Sequence, residues 1–480
     1  MTHTSNTSRR KRADWAPGRA LPVVSGMMLA LSLGACDSKR VLQVTDPDVA
    51  KPPALVGAAA IPTLYAGAVG DFAVAYGGNQ TTEGELGYSA LLTDEYINVE
   101  TFPTRIEIDQ RNTTKDNSNI VAVFRATEKA RASADFASTK IAVANPNDVR
   151  RSETMSLAGF MIDMMGEDYC SGSPISLLTE NTVLIFGAPQ TTAQLWDDAI
   201  SKFDSAITIA LAAGTSGTTQ LNLARVGKAR ALVNKGDYAG AAVVIGATGP
   251  SGAAVPTNFV YLVRYSVNTN RENNGVFFWN QNNARFSPTD VEGINGLPYR
   301  SSGDPRVLQT RTAGARTAAA TGFDGVSPLW LANMAPNTWA PQGKYAFRDA
   351  SIPLATGLEA RLIEAEAALA AGDLVGYLAG INAEQTAQAV TLSTLPATTA
   401  AQQDLLFKER AYSLWLTAHR LGDMRRLIRQ YGRNSETVFP TGTFFHSGSA
   451  AGNYGTDVNL ILPNQELNNP NFHGCIDRAA

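Results

Sequence analysis

The chain has 480 residues, 44% hydrophobic and 17% charged, with a formal net charge of −3, the balance of a globular body rather than a disordered or fibrous one. Residues 1–35 hold five basic groups and one acidic group, and setting them aside leaves 35 basic against 42 acidic. A mildly acidic body excludes bulk nucleic-acid binding, because neutralising phosphates takes clustered Lys and Arg.

The N-terminus reads as a processing segment. Arg9, Arg10, Lys11 and Arg12 precede an apolar stretch, residues 21–35, that is too short to span a bilayer comfortably. It closes on Leu33-Gly34-Ala35-Cys36, which is similar to a bacterial lipobox, so residues 1–35 are expected to be a lipoprotein signal peptide. Cys36 would then carry the lipid, anchoring the protein with an affinity that grows with each buried methylene. Residues 36–53 follow as a polar, proline-bearing tether, leaving 54–480 as a single folded domain. Cys170 and Cys475 are the other two cysteines. In an exported protein they most simply form one disulfide, worth about 5 kcal/mol on the entropic estimate; two buried free thiols are the alternative.

Within the body, helical spacing is expected over 62–75, 84–95, 120–144 and 151–165, with a polar stretch over 96–119 and a loop at 166–172. Trp196, Ala199, Ile200, Phe203, Ala206, Ile207 and Ala210 make a further apolar stripe. Residues 223–245 and 358–381 share one grammar: two helices rich in small residues, joined at Lys235-Gly236-Asp237 and at Ala371-Gly372-Asp373. Small residues let paired helices approach closely, as in tetratricopeptide-type repeats. Residues 246–356 read as loops with strands near 259–265 and 275–279, and long loops on a helical scaffold commonly carry function.

Residues 407–428 predict one continuous core helix. Phe407, Ala411, Leu414, Ala418, Leu421, Met424 and Ile428 share a face, and Arg420, Arg425, Arg426 and Arg429 crowd its C-terminal end, the polarity that a helix dipole favours. From Gly432 to Cys475 the chain is rich in turn formers yet carries Phe439, Phe444, Phe445, Tyr454, Ile461 and Leu462. Leaving such side chains in water forfeits roughly 1.5–3 kcal/mol each, so this tail is expected to fold back over the helices.

The chemistry-bearing patterns are sparse. The four histidines, at 3, 419, 446 and 473, form no zinc-type cluster, and neither a phosphate-binding glycine loop nor a nucleophile elbow is present. No metal or cofactor is therefore expected. His419, beside Arg420 and near Asp423 on the core helix, reads as part of a structural hydrogen-bonded cluster.

With these segments in view, the chain resembles the SusD/RagB family of outer-membrane nutrient-uptake lipoproteins. The resemblance is carried by Glu409-Arg410, Trp415 and the run His419-Arg420-Leu421-Gly422-Asp423-Met424-Arg425-Arg426. Pro463, Glu466 and Asn469-Pro470-Asn471 continue it, as do Asp304-Pro305-Arg306-Val307, Lys344-Tyr345 and residues 361–367, in the family's order. Leu421-Gly422 departs from the aromatic usual after His-Arg, and the Cys170/Cys475 pair is not a general family feature. The resemblance implies a mainly α fold: a SusD-like helical domain with tetratricopeptide-like pairs, long irregular loops and a few short strands. It further implies a non-catalytic, lipid-anchored protein, facing the cell exterior, that captures an oligosaccharide or peptide for a SusC-like TonB-dependent β-barrel transporter. Because flat rings stack on sugar faces, the expected ligand-binding residues are Tyr96, Phe102 and Arg105 from the early loop and Trp279, Trp330, Trp339 and Tyr345 from the later ones. A surface-anchored hydrolase and a helical-repeat adaptor without a small ligand are the competing readings.

Overall fold

Helices are written into this chain by their caps. The computed structural model describes residues 57–178, 184–312, 318–332, 345–444 and 452–480; Cys36 with its signal and tether, Trp339, Lys344 and Phe445 lie outside them. Helix α1 (Ile61–Gly77) starts with Pro62 in its first turn, where a missing N–H costs nothing. Helix α2 (Gly84–Leu92) follows, then strand β1 (Tyr96–Asn98) and α3 (Pro103–Asp109), again opened by a proline. The Asn117 side chain caps α4 (Ser118–Ala144) and that of Asp148 caps α5 (Val149–Asp168). Thr191 and Gln194 form a reciprocal capping box on α6 (Thr192–Ala212). Asp71 of α1 accepts from Lys129 at 2.9 Å and Ser133 at 2.6 Å, tying α1 to the middle of α4.

Both predicted helix pairs are present and turn by the same device. Helix α7 (Thr218–Lys235) ends on Gly236 at φ 82°, and the Asp237 carboxylate caps α8 (Tyr238–Ile245). Strands β2 (Val260–Val263) and β3 (Phe286–Pro288) follow, and β4 (Ile352–Thr356) pairs with β2. Helix α9 (Gly357–Ala370) runs out to Gly372 at φ 75°, and Asp373 caps α10 (Leu374–Ala387). Within that pair a Cβ at Gly380 would stand 2.9 Å from the Ala365 Cβ, so the close approach requires the small residue. Among the described residues the strands form only two-stranded sheets, and Leu55–Ala480 is one unit.

The predicted core helix is broken. Helix α11 (Thr399–Ser413) stops, residues 414–419 form turns, and α12 (Arg420–Arg429) begins after them. Leu416 (φ 53°) and Ala418 (φ 60°) take left-handed conformations that L-residues avoid. Distant groups hold them there. The Leu416 N–H donates to Glu95 Oε1 at 2.9 Å, its carbonyl accepts from the Tyr345 hydroxyl at 2.5 Å, and the Thr417 carbonyl lies 3.0 Å from the Tyr76 hydroxyl. Side-chain periodicity carries no trace of these backbone partners.

The charges of the family-like run are interior. Arg306 bonds Glu409 at 2.7 Å, Arg410 bonds Asp423 at 2.8 Å, and Arg420 grips both Asp94 oxygens at 2.7 and 2.9 Å. Arg426 joins Glu366 to Asp423. Arg425 donates to the last carbonyls of α5 at Gly166, Glu167 and Tyr169, which explains why α5 runs to Asp168 through part of the predicted loop. Burial brings the Arg425 guanidinium down to about 10. His419 is structural as expected: Nδ1 lies 2.8 Å from the Thr417 carbonyl and Nε2 3.3 Å from Glu359.

The tail does fold back. Phe439, Phe444, Leu460 and Leu462 are buried, and segment 169–171 is bonded to the tail at Leu460 on one side and Asp477 on the other. The Cys170–Cys475 disulfide is formed across this junction. The strand expected at 275–279 is instead a helical turn capped by Asn274, because the Asn274 side chain accepts the Phe277 N–H at 2.9 Å.

Candidate functional site

Strand parity decides which side chains near β1 reach the surface. β1 pairs antiparallel with β3, and Ile97 sits outward while Tyr96 and Asn98 point into the core. The segment 320–332 closes onto this sheet: the Phe323 N–H bonds the Ala284 carbonyl at 2.8 Å and the Asp324 N–H bonds the Val99 carbonyl at 3.0 Å. A Cβ at Gly322 would lie 2.5 Å from Val99, so that contact admits only glycine. Val99, Ala284, Leu329 and Leu331 form their own small core beneath.

At one end of this platform two phenylalanines flank an arginine. Pro103 starts α3 and leaves Phe102 in extended backbone before it, so the ring projects outward at 48% exposure, while Phe323 is 52% exposed. The Arg285 guanidinium lies 5.0 Å from the Phe102 ring and 3.5 Å from the Phe323 ring, within cation–π range. Buried Glu100 pairs with both Arg285 and Arg105, and Glu83 also holds Arg105. Two carboxylates answer two guanidiniums, which leaves rigid, charge-balanced aromatic surface.

At the other end is a cleft of about 290 Å³, lined by Ile97, Asp290, Glu292, Arg300, Trp330 and Tyr454 among others. Trp330 is fixed by its backbone: its N–H bonds Ser287 Oγ at 2.9 Å and its carbonyl accepts from Asn280 at 2.8 Å. Arg300 stacks 4.0 Å from its ring and is held by Gln309 at 3.0 Å and Asp290 at 3.4 Å. The Tyr454 hydroxyl donates to Glu292 Oε1 at 2.9 Å. Burial, then the neighbouring Asp109, push the Glu292 carboxyl well above the usual range, and burial does the same to Asp109. A groove of about 370 Å³ between α4, α5 and α6, lined by Arg151, Lys202 and Leu177 among others, has no aromatic lining.

Of the residues expected from sequence, Phe102, Arg105 and Trp330 come to this surface. Three do not, and their reading as stacking platforms is corrected. Tyr96 (1% exposed) faces inward by strand parity, Trp279 (6%) lies beneath Arg105 with its indole N–H on the Asn79 carbonyl, and Tyr345 (1%) braces the helix break. Trp339 lies outside the described residues. Sequence reading missed Arg285, Phe323, Arg300, Glu292 and Tyr454. Arg285-Phe286 beside a turn was a usable signal for the first, whereas Asp109 and Glu292 are 183 positions apart in the numbering and nothing local links them.

Asp290 is occupied by the Ser301 N–H and Arg300. Asp109 and Glu292 interact directly. Among the described residues no group of three or more His, Cys, Asp and Glu is arranged to hold a metal ion.

No protein-family model matches the chain, and no curated protein matches it. Solved structures do. A SusD superfamily protein from Bacteroides vulgatus aligns over 87% of this chain and 98% of its own, with a TM-score of 0.60 and 13% identity. A SusD-like carbohydrate-binding protein from Bacteroides fragilis covers 86% and 98% at TM-score 0.58 and 14% identity. A laminarin-binding SusD-like protein covers 88% and 99% at TM-score 0.61 and 13% identity. The chain has the SusD-like fold, mainly helical, over nearly the whole length of these proteins.

Proposed function

We propose that this chain belongs to the SusD/RagB family and is a lipid-anchored binding protein that captures an oligosaccharide on the surface formed by Phe102, Phe323 and Trp330. Exposed phenylalanine rings fixed around Arg285, with Trp330 in the neighbouring cleft, carry the reading. Flat apolar faces among fixed polar groups suit pyranose rings, whose C–H faces stack while their hydroxyls are sorted by hydrogen bonds. The likeness to structures described as carbohydrate-binding and laminarin-binding supports the same class. The lipobox at Cys36, the signal over 1–35 and the tether over 36–53 support attachment to the outer membrane, facing outward. The fold supports handover to a SusC-like TonB-dependent β-barrel transporter without a chemical step.

A screen of the protein against glycan and peptide arrays tests the capture step. Binding of glycans, lost in a Phe323→Ala/Trp330→Ala double variant, is the expected result. Exclusive binding of peptides, or cleavage of a bound glycan, would overturn it. Co-purification of a large β-barrel protein from mild detergent extracts is the expected outcome for the partner.

A further inference from the structure

We infer that Asp109 is a positioning residue for the cleft: it shares one proton with Glu292 and so holds the Glu292–Tyr454 wall in place, and the wall loosens when that proton leaves. The inference deepens the reading of the cleft as the ligand site and rests on it.

The geometry is a chain of contacts through three segments. Asp109 is the last residue of α3, and its Oδ2 accepts the Asn98 N–H of β1 at 2.7 Å. Glu292 follows β3 in a tight turn closed by the Gly296 N–H on the Glu292 carbonyl at 2.9 Å. Tyr454 belongs to the tail, and its N–H bonds the Gly442 carbonyl at 3.1 Å. The Tyr454–Glu292 bond joins the two lips of the cleft at its mouth, while the Ile294 N–H on the Thr441 carbonyl at 3.1 Å and the Asn295 amide on the Glu436 and Phe439 carbonyls at 2.8 Å join them behind it. Each carboxyl uses one oxygen in these contacts. The remaining Asp109 Oδ1 and Glu292 Oε2 are buried with no protein donor, although the two groups interact directly. One proton between them satisfies both oxygens, and two adjacent buried carboxylates cannot both ionise cheaply.

The charged groups around the pair are already engaged. Asp94 faces Glu292 and is neutralised by Arg420 and the Leu297 N–H at 2.9 Å. Arg111 faces Tyr454, but its guanidinium donates to the Asp457 and Pro440 carbonyls at 2.9 and 2.7 Å and pairs with Glu436 at 3.1 Å. Arg300, in the same cleft, is engaged by Asp290 and Gln309, so among the described residues these neighbouring cations are all committed elsewhere. Both carboxyls are raised above the ordinary range, so the contribution of the pair is full in acid and is lost as pH rises through the raised value.

Hydrogen exchange of the full mature protein, read over residues 289–297 and 452–457 and corrected for intrinsic rates, tests this without any ligand. Between about pH 5 and about pH 9 the wild type should lose protection there by about fivefold or more relative to α5. Asp109→Asn keeps an acceptor for Asn98 and offers an amide N–H to Glu292, so its protection should be independent of pH. Glu292→Gln makes the same substitution from the other side if Asp109→Asn does not fold. Identical pH profiles in wild type and amide variant, or a wild-type profile without pH dependence, would overturn the inference. A proton-linked wall in a protein that binds no glycan would instead count against the capture reading alone.

Discussion

Single side chains here divide sharply between those that hold the fold and those that line the proposed binding surface, and residue type alone does not sort them. Tyr345 and Trp330 are both large, amphipathic and set in loops, yet one braces the Leu416 carbonyl and the other lines a cleft. Tyr345→Phe removes only the brace. It is expected to cost ~1–2 kcal/mol in urea unfolding, the penalty of a buried carbonyl left bare, and to leave glycan affinity unchanged. Trp330→Ala is expected to do the reverse: affinity on a glycan array or by calorimetry falls roughly tenfold to a hundredfold, matching ~1.5–3 kcal/mol of lost aromatic burial, while the unfolding midpoint barely moves. The legible part of the site was its exposed end. Phe102 was legible as a ring set in a polar stretch, and the structure leaves it 48% exposed. Tyr96 was misplaced because a three-residue strand is too short for its parity to show in sequence.

Elements proved legible where their signals are local and opaque where the partners are distant. The Gly-Asp turns of the α7/α8 and α9/α10 pairs were readable because each residue does its own work: glycine takes positive φ, and aspartate caps the next helix. Gly372 has open space around its Cα, so Gly372→Ala isolates the backbone term. It is expected to destabilise by ~1–2 kcal/mol, measured by chemical denaturation. The break between α11 and α12 was opaque for the opposite reason. Seven apolar positions at steps of three and four describe a good helix, and only Glu95, Tyr345 and Tyr76, from remote segments, reward leaving it. Arg425 makes the same point for α5. Arg425→Met is expected to cost ~3–5 kcal/mol, because it strips donors from several buried carbonyls at once.

For the whole molecule, the buried carboxyls set how stability follows pH. Burial pushes Glu85 and Glu384 up to about 7. Raised carboxyls stabilise the fold below their unfolded values and lose that contribution as pH climbs through the folded ones. Asp423, held down to about 2 by Arg410 and Arg426 against the cost of burial, acts oppositely and weakens the fold only in strong acid. Stability is therefore expected to peak near about pH 5 and decline toward about pH 8, measured as urea midpoints across that range. Replacing Cys170 and Cys475 by Ser is expected to lower stability by ~2–5 kcal/mol at every pH.

Tyr454 and Cys475 belong to a segment made after every helix it covers. The helices precede it in sequence, but one lip of the cleft lies within it. A molecule truncated before Tyr454 would lack both the Tyr454–Glu292 contact across the cleft and the Cys170–Cys475 tie to the helical body.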